Sequence, residues 1–319
     1  MYDFIGDIHG HADELKELLN KLGYKNRQGI WLHESRIAIF LGDYIDRGPK
    51  QRETVEIVRS MVEAGRALAI MGNHEFNAIG YATLGLDGVG YLRPHTANNL
   101  KQHSGFLNEY AFGSPDYEDA IGWFKSLPMY LEKSEFRAVH ACYDRRALKV
   151  ISDHLGTDFL LKEEKLVQAF TKGSHLYDAI ETCLKGIEVD LPEGISYLDK
   201  DLIERKNVRC KWWDPNLRTF KEVALISDEE IRACLSDEDL PFGILPGYDN
   251  LKPVLFGHYW RVGKNPRKLT DYSACLDYSV ANKEIGNGKL VAYRLNGEGP
   301  LDDNNFVYVE SSYAYGNET

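Results

Sequence analysis

The chain has 319 residues, 43% hydrophobic and 27% charged, ordinary values for a folded globular protein of one large domain or two small ones. No segment reaches the roughly eighteen consecutive apolar residues that a membrane-spanning helix needs. The 38 basic against 49 acidic residues give a formal charge of −11, so general nucleic-acid binding, which needs clustered Lys and Arg, is disfavoured, while a small cationic pocket is not.

Taken in chain order, residues 2–8 read as a short buried strand, and residues 12–22 as an amphipathic helix with apolar Leu15, Leu18, Leu19 and Leu22. The apolar start runs straight into Gly6-Asp7-Ile8-His9-Gly10 and leaves no room for a cleavable leader. Residues 36–41 predict a second strand, residues 54–64 a helix closed by Gly65, and residues 66–71 a third strand. Nearly continuous apolar strands separated by helices indicate βαβ units and a sheet covered on both faces.

Helical spacing returns at 98–110, 119–127, 158–170 and 176–184, with a short strand at 136–140 between them. Residues 144–250 are charged and weakly periodic, and are read as an insertion or cap within a single domain spanning 1–319. Strand-like runs reappear at 253–256, 274–276 and 290–295, and the polar tail after Gly299 is expected to extend over the surface. The five cysteines are odd in number and form no C-x-x-C, which predicts reduced thiols in a cytoplasmic protein.

Three strands end in similar text: GDIHG at 6–10, GDYIDRG at 42–48 and GNHE at 72–75. Ligands bind beyond the carboxyl ends of strands in open α/β sheets, so neighbouring strands would bring Asp7, His9, Asp43, Asn73 and His74 into one small volume. Carboxylates and imidazoles crowded together repel or desolvate badly unless a cation joins them. Oxygen and imidazole donors without thiolate suit Mn, Fe or Zn rather than a structural zinc cage. His140 and His258 each follow an apolar run and extend the donor set. Any one Asp or Asn after a strand is ordinarily a turn or a cap; repetition after three strands is what points to chemistry.

These motifs, with VHACYD (139–144), VLFGHYW (254–260) and ACLDYSVA (274–281), resemble the calcineurin-like metallophosphoesterase superfamily, in particular the bacterial members of its phosphoprotein-phosphatase branch. The resemblance implies an α/β fold: a central β-sandwich flanked by helices, with a largely helical insertion. It implies two divalent metal ions, Mn foremost with Fe or Zn as alternatives. Asp7 and His9 would bind one, Asn73, His140 and His258 the other, and Asp43 both. His74 would act as general acid with Asp46 orienting it, and Arg47 would clamp phosphate. Arg209 or Arg218, near Trp212-Trp213-Asp214-Pro215, would supply a second clamp, with Arg209 the preferred candidate.

Such roles are chemically coherent. Two metals about 3.5–4 Å apart share a hydroxide reactive at neutral pH, so attack is direct and needs no phosphoenzyme. A guanidinium adds bidentate donors to phosphoryl oxygens, and a protonated imidazole assists a poor alkoxide leaving group. The expected substrate is a phosphomonoester, such as phosphoserine or phosphothreonine in a protein. The alternative is a dinucleoside tetraphosphate cleaved symmetrically. Those hydrolases typically have alanine at the position of Asp46 and GNHD in place of GNHE, which tilts this chain toward the phosphatases. A third reading, a metal-binding scaffold without catalysis, is disfavoured because every site position is filled. Of the remaining residues, His11 is expected at the surface, Arg93, His95 and His103 are candidates to face substrate, and Glu75 is assigned a hydrogen bond that supports its loop.

Overall fold

The computed structural model describes residues 1–86, 88–198, 204–226, 229–241, 243–282 and 288–312. At its centre are two sheets assembled from distant segments. Tyr2–Ile5, Ile37–Phe40 and Ala67–Ala69 lie parallel, with Tyr2 opposite Ile37 and Ala38 opposite Ala67. Lys289–Leu295 runs antiparallel to Tyr2–Ile5 and pairs with both Asp277–Tyr278 and Phe306–Glu310, giving six strands among the described residues. The second sheet orders Ser273–Cys275, Val254–Phe256, Arg137–Val139 and Tyr130–Glu132, the first three parallel.

The unbroken apolar writing of the strands follows from burial on both faces. Phe4, Ile39, Leu41 and Ile70 of the larger sheet meet Phe136, Ala138, Leu255 and Ala274 of the smaller one. The Phe4 and Phe136 rings touch edge to face at 4.8 Å. The alternate residues, Ile5, Ala38, Phe40 and Ala67, join a separate core beneath the helices. Ala12–Leu22 buries Leu15, Leu18, Leu19 and Leu22 there and ends at Gly23, whose left-handed φ of 94° lets its N–H close the last turn.

Most expected elements form within a few residues of their predicted limits, but three readings need correction. Residues 145–155, inside the stretch taken as weakly periodic, form an amphipathic helix (Arg145–Leu155) that buries Ala147, Leu148, Ile151 and Leu155 and is capped by Asp144. The helix expected at 158–170 is reduced to a turn at Glu163–Lys165 and the short Leu166–Phe170, with Phe159 at φ +56°. Within the tail expected to extend over the surface, Phe306–Glu310 is a strand of the six-stranded sheet, and residues 313–319 lie outside the described residues. The inserted region is helical as far as His175–Lys185. Beyond that, among the described residues, it holds short strand pairs, including Glu188–Asp190 with Asn207–Arg209, and the short helices Phe220–Val223 and Glu229–Ala233. All five cysteines are free, and no helix among the described residues is long and apolar enough to cross a membrane.

At the amino-terminal edge of the sheet, buried Asp3 accepts from Arg36 Nε (2.8 Å), Arg294 Nε (3.2 Å) and Tyr24 Oη (3.1 Å). Replacing Asp3 by Ala leaves a buried guanidinium uncompensated. Urea unfolding is expected to show a loss of about 3–5 kcal/mol; a loss under about 1 kcal/mol would mean that Arg36's bonds to Tyr2 and Leu295 carbonyls suffice.

Candidate metal centre and active site

Five parallel strands deliver the site. The turns after Tyr2–Ile5, Ile37–Phe40 and Ala67–Ala69 carry Asp7 and His9, Asp43, and Asn73 with His74; those after Arg137–Val139 and Val254–Phe256 carry His140 and His258. Of the ten non-glycine residues with positive φ among the described residues, five are here: His9 (48°), Asp43 (54°), Asp46 (69°), Arg47 (71°) and His258 (68°). Such backbone persists only where the surroundings over-determine it. Close approach fixes two glycines. A Cβ on Gly72 would lie 2.3 Å from Asp43 N, and one on Gly257 would lie 1.9 Å from Asp7 Oδ1.

Asp43 is the hub. Its Oδ2 lies 3.4 Å from His140 Nε2, 3.7 Å from His9 Nε2 and 3.9 Å from His74 Nε2, while Oδ1 accepts the His74 backbone N–H at 3.0 Å. Two trios therefore have the spacing to hold a cation: His9, Asp43 and His74, and Asp43, His140 and His258. Asn73 Oδ1 completes the second, 3.0 Å from His140 Nε2 and 2.8 Å from His258 Nδ1. Asp7 belongs to neither trio; its carboxylate faces the backbone N–H of His258 at 3.1 Å.

The donor set fits divalent ions for a specific reason. His140 Nδ1 donates to Leu41 O (2.7 Å) and His9 Nδ1 to Ile45 O (2.9 Å), so each ring turns its Nε2 toward Asp43. In a neutral imidazole that atom is a lone pair facing an acceptor, an arrangement that calls for a proton or a cation between them. With neither thiolate nor lysine in the set, Mn, Fe and Zn all suit it. The charge balance without a cation reflects the same pressure. Burial, Asp277 and Asp43 push the Asp7 carboxyl well above its ordinary range. Burial works against protonation of His140, but Asp43 raises it to about 10. Burial and then Arg47 and His74 push His9 well down, and burial and Arg209 do the same to His258. Metal binding to such a site displaces protons.

Glu75 explains how Asp43 keeps its strained place. Fully buried, it accepts from the backbone N–H groups of Asp43 (2.9 Å) and Gly72 (3.0 Å) on one oxygen and from Tyr44 (2.8 Å) on the other. One side chain thus caps its own helix, Asn73–Ala82, and grips the GDYIDRG turn. Burial and the neighbouring Asp43 push its carboxyl up to about 7.

Beside the trios, His74 Nδ1 meets Asp46 Oδ2 at 2.6 Å. Burial opposes ionisation of Asp46, yet His103 and His74 hold its carboxyl well below the usual carboxylate range. The Arg47 guanidinium lies over the Trp260 ring, 5.0 Å from its centroid. Arg209 sits part-exposed on Asn207–Arg209, with Glu188 at 3.8 Å, close enough for its charge to act on His258. Arg218 takes part in a capping turn, where its N–H donates to Glu222.

Four histidine and arginine readings change. His11 is buried, its Nδ1 bonded to His9 O at 2.8 Å. His95 is sandwiched between Tyr81 and Tyr91, at 3.7 and 4.0 Å between centroids, and Arg93 binds Asn99 and Gln102. His103, a candidate to face substrate, is buried and points at Asp46. Its signal was present, since His103, Phe106 and Tyr110 follow the i, i+3, i+7 spacing of a buried helical face.

A family model, Calcineurin-like phosphoesterase, matches residues 2–185, more than half of the chain. The chain belongs to that family. The chain is 45% identical to the asymmetrical bis(5′-nucleosyl)-tetraphosphatase PrpE of Bacillus subtilis (strain 168) over 74 residues, 23% of this chain and 30% of that protein. It thus spans less than a third of the length of relatives of that kind. It is 24% identical to the symmetrical bis(5′-nucleosyl)-tetraphosphatase of Methylobacillus flagellatus over 313 residues, 92% of this chain and 91% of that one. A solved serine/threonine phosphatase from Saccharomyces cerevisiae, described as similar to human phosphatase PP5, superposes with a TM-score of 0.48 at 15% identity, over 97% and 78% of the two chains.

Two outcomes are expected of the protein. Glu75→Gln keeps the side chain's size but gives up an acceptor oxygen, so chelator-competition titration should show metal affinity lowered about 10–100-fold. Unchanged affinity would mean that the turn holds Asp43 unaided. Adding Mn, Fe or Zn to chelated protein should raise Tm, by an amount equivalent to about 2.7 kcal/mol at a hundredfold excess over Kd.

Proposed function

We propose that this phosphoesterase hydrolyses phosphomonoesters with two divalent ions, Mn foremost, held by Asp7, His9 and Asp43 and by Asp43, Asn73, His140 and His258. Bound there, the ions would supply an electrophile for phosphoryl oxygens and would acidify water at neutral pH. Arg47, steadied over Trp260, binds the phosphoryl oxygens, and Arg209 approaches from the cap side. Asp46 takes the Nδ1–H of His74, which leaves Nε2 to carry a proton to the leaving oxygen. The substrate is a phosphorylated protein or small phosphoester, with no general role for nucleic acid or membrane, and the free cysteines accord with a cytoplasmic location. We read 1–319 as one domain, with 144–250 as the cap that chooses the substrate.

The contact that carries this reading is the 2.6 Å bond between His74 and Asp46. An alkoxide leaves poorly and gains from a proton donor, whereas a phosphate or nucleotide leaving group is a weak base and departs with less help. A positioned acid therefore favours monoesters of alcohols. A second reading, hydrolysis of a dinucleoside tetraphosphate, is favoured by the near full-length similarity to the symmetrical tetraphosphatase.

One preparation with Mn should be assayed on p-nitrophenyl phosphate, a phosphopeptide panel, diadenosine tetraphosphate and a cyclic phosphodiester. Monoester turnover should lead, and His74→Asn should lower it about 10²–10⁴-fold. Preference for the dinucleotide would replace the first reading by the second. Inactivity with every divalent ion would leave the scaffold.

A further inference from the structure

Asp46 is gripped from two sides. One oxygen is bonded to His74 Nδ1 at 2.6 Å, and the other lies 3.1 Å from His103 Nδ1. His103 comes from Ala97–Glu109, a helix outside every motif that marks the metal centre. Its ring is buried, stacks on Phe106 at 5.1 Å and leans on Tyr81 at 5.2 Å, so its orientation is set by packing. Because its partner is a carboxylate, Nδ1 is the donor, and Nε2 is buried without a hydrogen-bond partner among the described residues.

The same helix is fitted to this loop at two further points. Gly105 lies against the backbone, where a Cβ would be 3.0 Å from Arg47 N and 3.4 Å from the Asp46 carbonyl carbon. The Glu109 carboxylate accepts from the backbone N–H groups of Gln51 (2.7 Å) and Arg52 (3.0 Å). Gln51 Oε1 in turn accepts the Asp46 N–H at 2.6 Å. The helix therefore controls both the backbone of Asp46 and the plane of its carboxylate.

The plane matters because the terminal torsion of an Asp side chain is broad and two-fold. With His74 as its only side-chain donor, the carboxylate could rotate and let the imidazole follow. A donor on each oxygen fixes the torsion. We infer that His103 is a positioning residue for the proton donor: its Nδ1–H locks the Asp46 carboxylate, so that His74 Nε2 is held at the leaving group. This inference rests on the reading of His74 as general acid and adds a residue that the metal-site motifs do not contain.

The test compares leaving groups. Wild type, His74→Asn, His103→Leu and His103→Asn are assayed with Mn on phenyl phosphate, which leaves poorly, and on 2,4-dinitrophenyl phosphate, which needs little protonation. His103→Leu should lower kcat about 10-fold or more on phenyl phosphate and under about 3-fold on the dinitrophenyl ester. His103→Asn, whose amide donates from nearly the Nδ1 position, should recover most of the loss. Adding His103→Leu to His74→Asn should cost little more than His74→Asn alone. Equal losses on both esters, with Tm lowered, would make His103 a packing residue and overturn the inference, as would no loss on either. If His74→Asn itself lacked the leaving-group pattern, the general-acid reading would fail first, whatever His103 does.

Discussion

The Asp43 carboxylate is buried with its Oδ2 turned toward three imidazole nitrogens between 3.4 and 3.9 Å away, and its backbone is in a left-handed conformation. A charge in that position is costly unless something compensates it. The features around it answer that cost. His140 and His9 have their outer nitrogens tied to carbonyls, so that the inner ones converge. Glu75 holds the turn from below through three amides. Gly72 and Gly257 remove the Cβ atoms that would collide with Asp43 and Asp7. A sandwich of two sheets brings five strand ends to one edge, which lets residues as far apart as Asp7 and His258 touch.

On the proposed roles, this arrangement separates metal binding from proton handling while keeping them adjacent. His74 follows Asn73 directly, at the start of one helix, so a single turn serves both tasks. Asp43 and Asp46 likewise share one loop, the first facing the ligand trios and the second facing away toward His103. The two carboxylates sit in different company, and that sets their chemistry. Asp43 Oδ2 faces three imidazole nitrogens 3.4 to 3.9 Å away, whereas Asp46 has a donor on each oxygen and one partner for its own N–H. The sheet edge would fix the proposed metal ligands, and the helix over the loop the proposed acid.

Much of this was legible in the sequence because the chemistry is local to strand ends. GDIHG, GDYIDRG and GNHE each put their polar groups directly after an apolar run, and His140 and His258 repeat that pattern. The helix Ala12–Leu22 was equally plain from its leucine spacing. What escaped depends on contacts between segments. His103 lies 57 residues from Asp46, and nothing in either local pattern reports their pairing. The helix Arg145–Leu155 was obscured by its charged flanks although its apolar face is regular. The strand Phe306–Glu310 is part-exposed and reads as a tail until its partner Lys289–Leu295 is seen. Arg209 and its surroundings are the least legible, since Glu188–Asp190 and Asn207–Arg209 pair although they are well separated in sequence.

The central claim is that Asp43 is shared by two ions while the other ligands serve one each. Metal content at equilibrium with a weak chelator tests it directly, with Asp43→Asn compared against Asp7→Asn and His258→Asn. The account predicts two ions per chain in the wild type, about one in each single-site variant, and almost none in Asp43→Asn. An Asp43→Asn protein that is folded and retains a tightly held ion would contradict it.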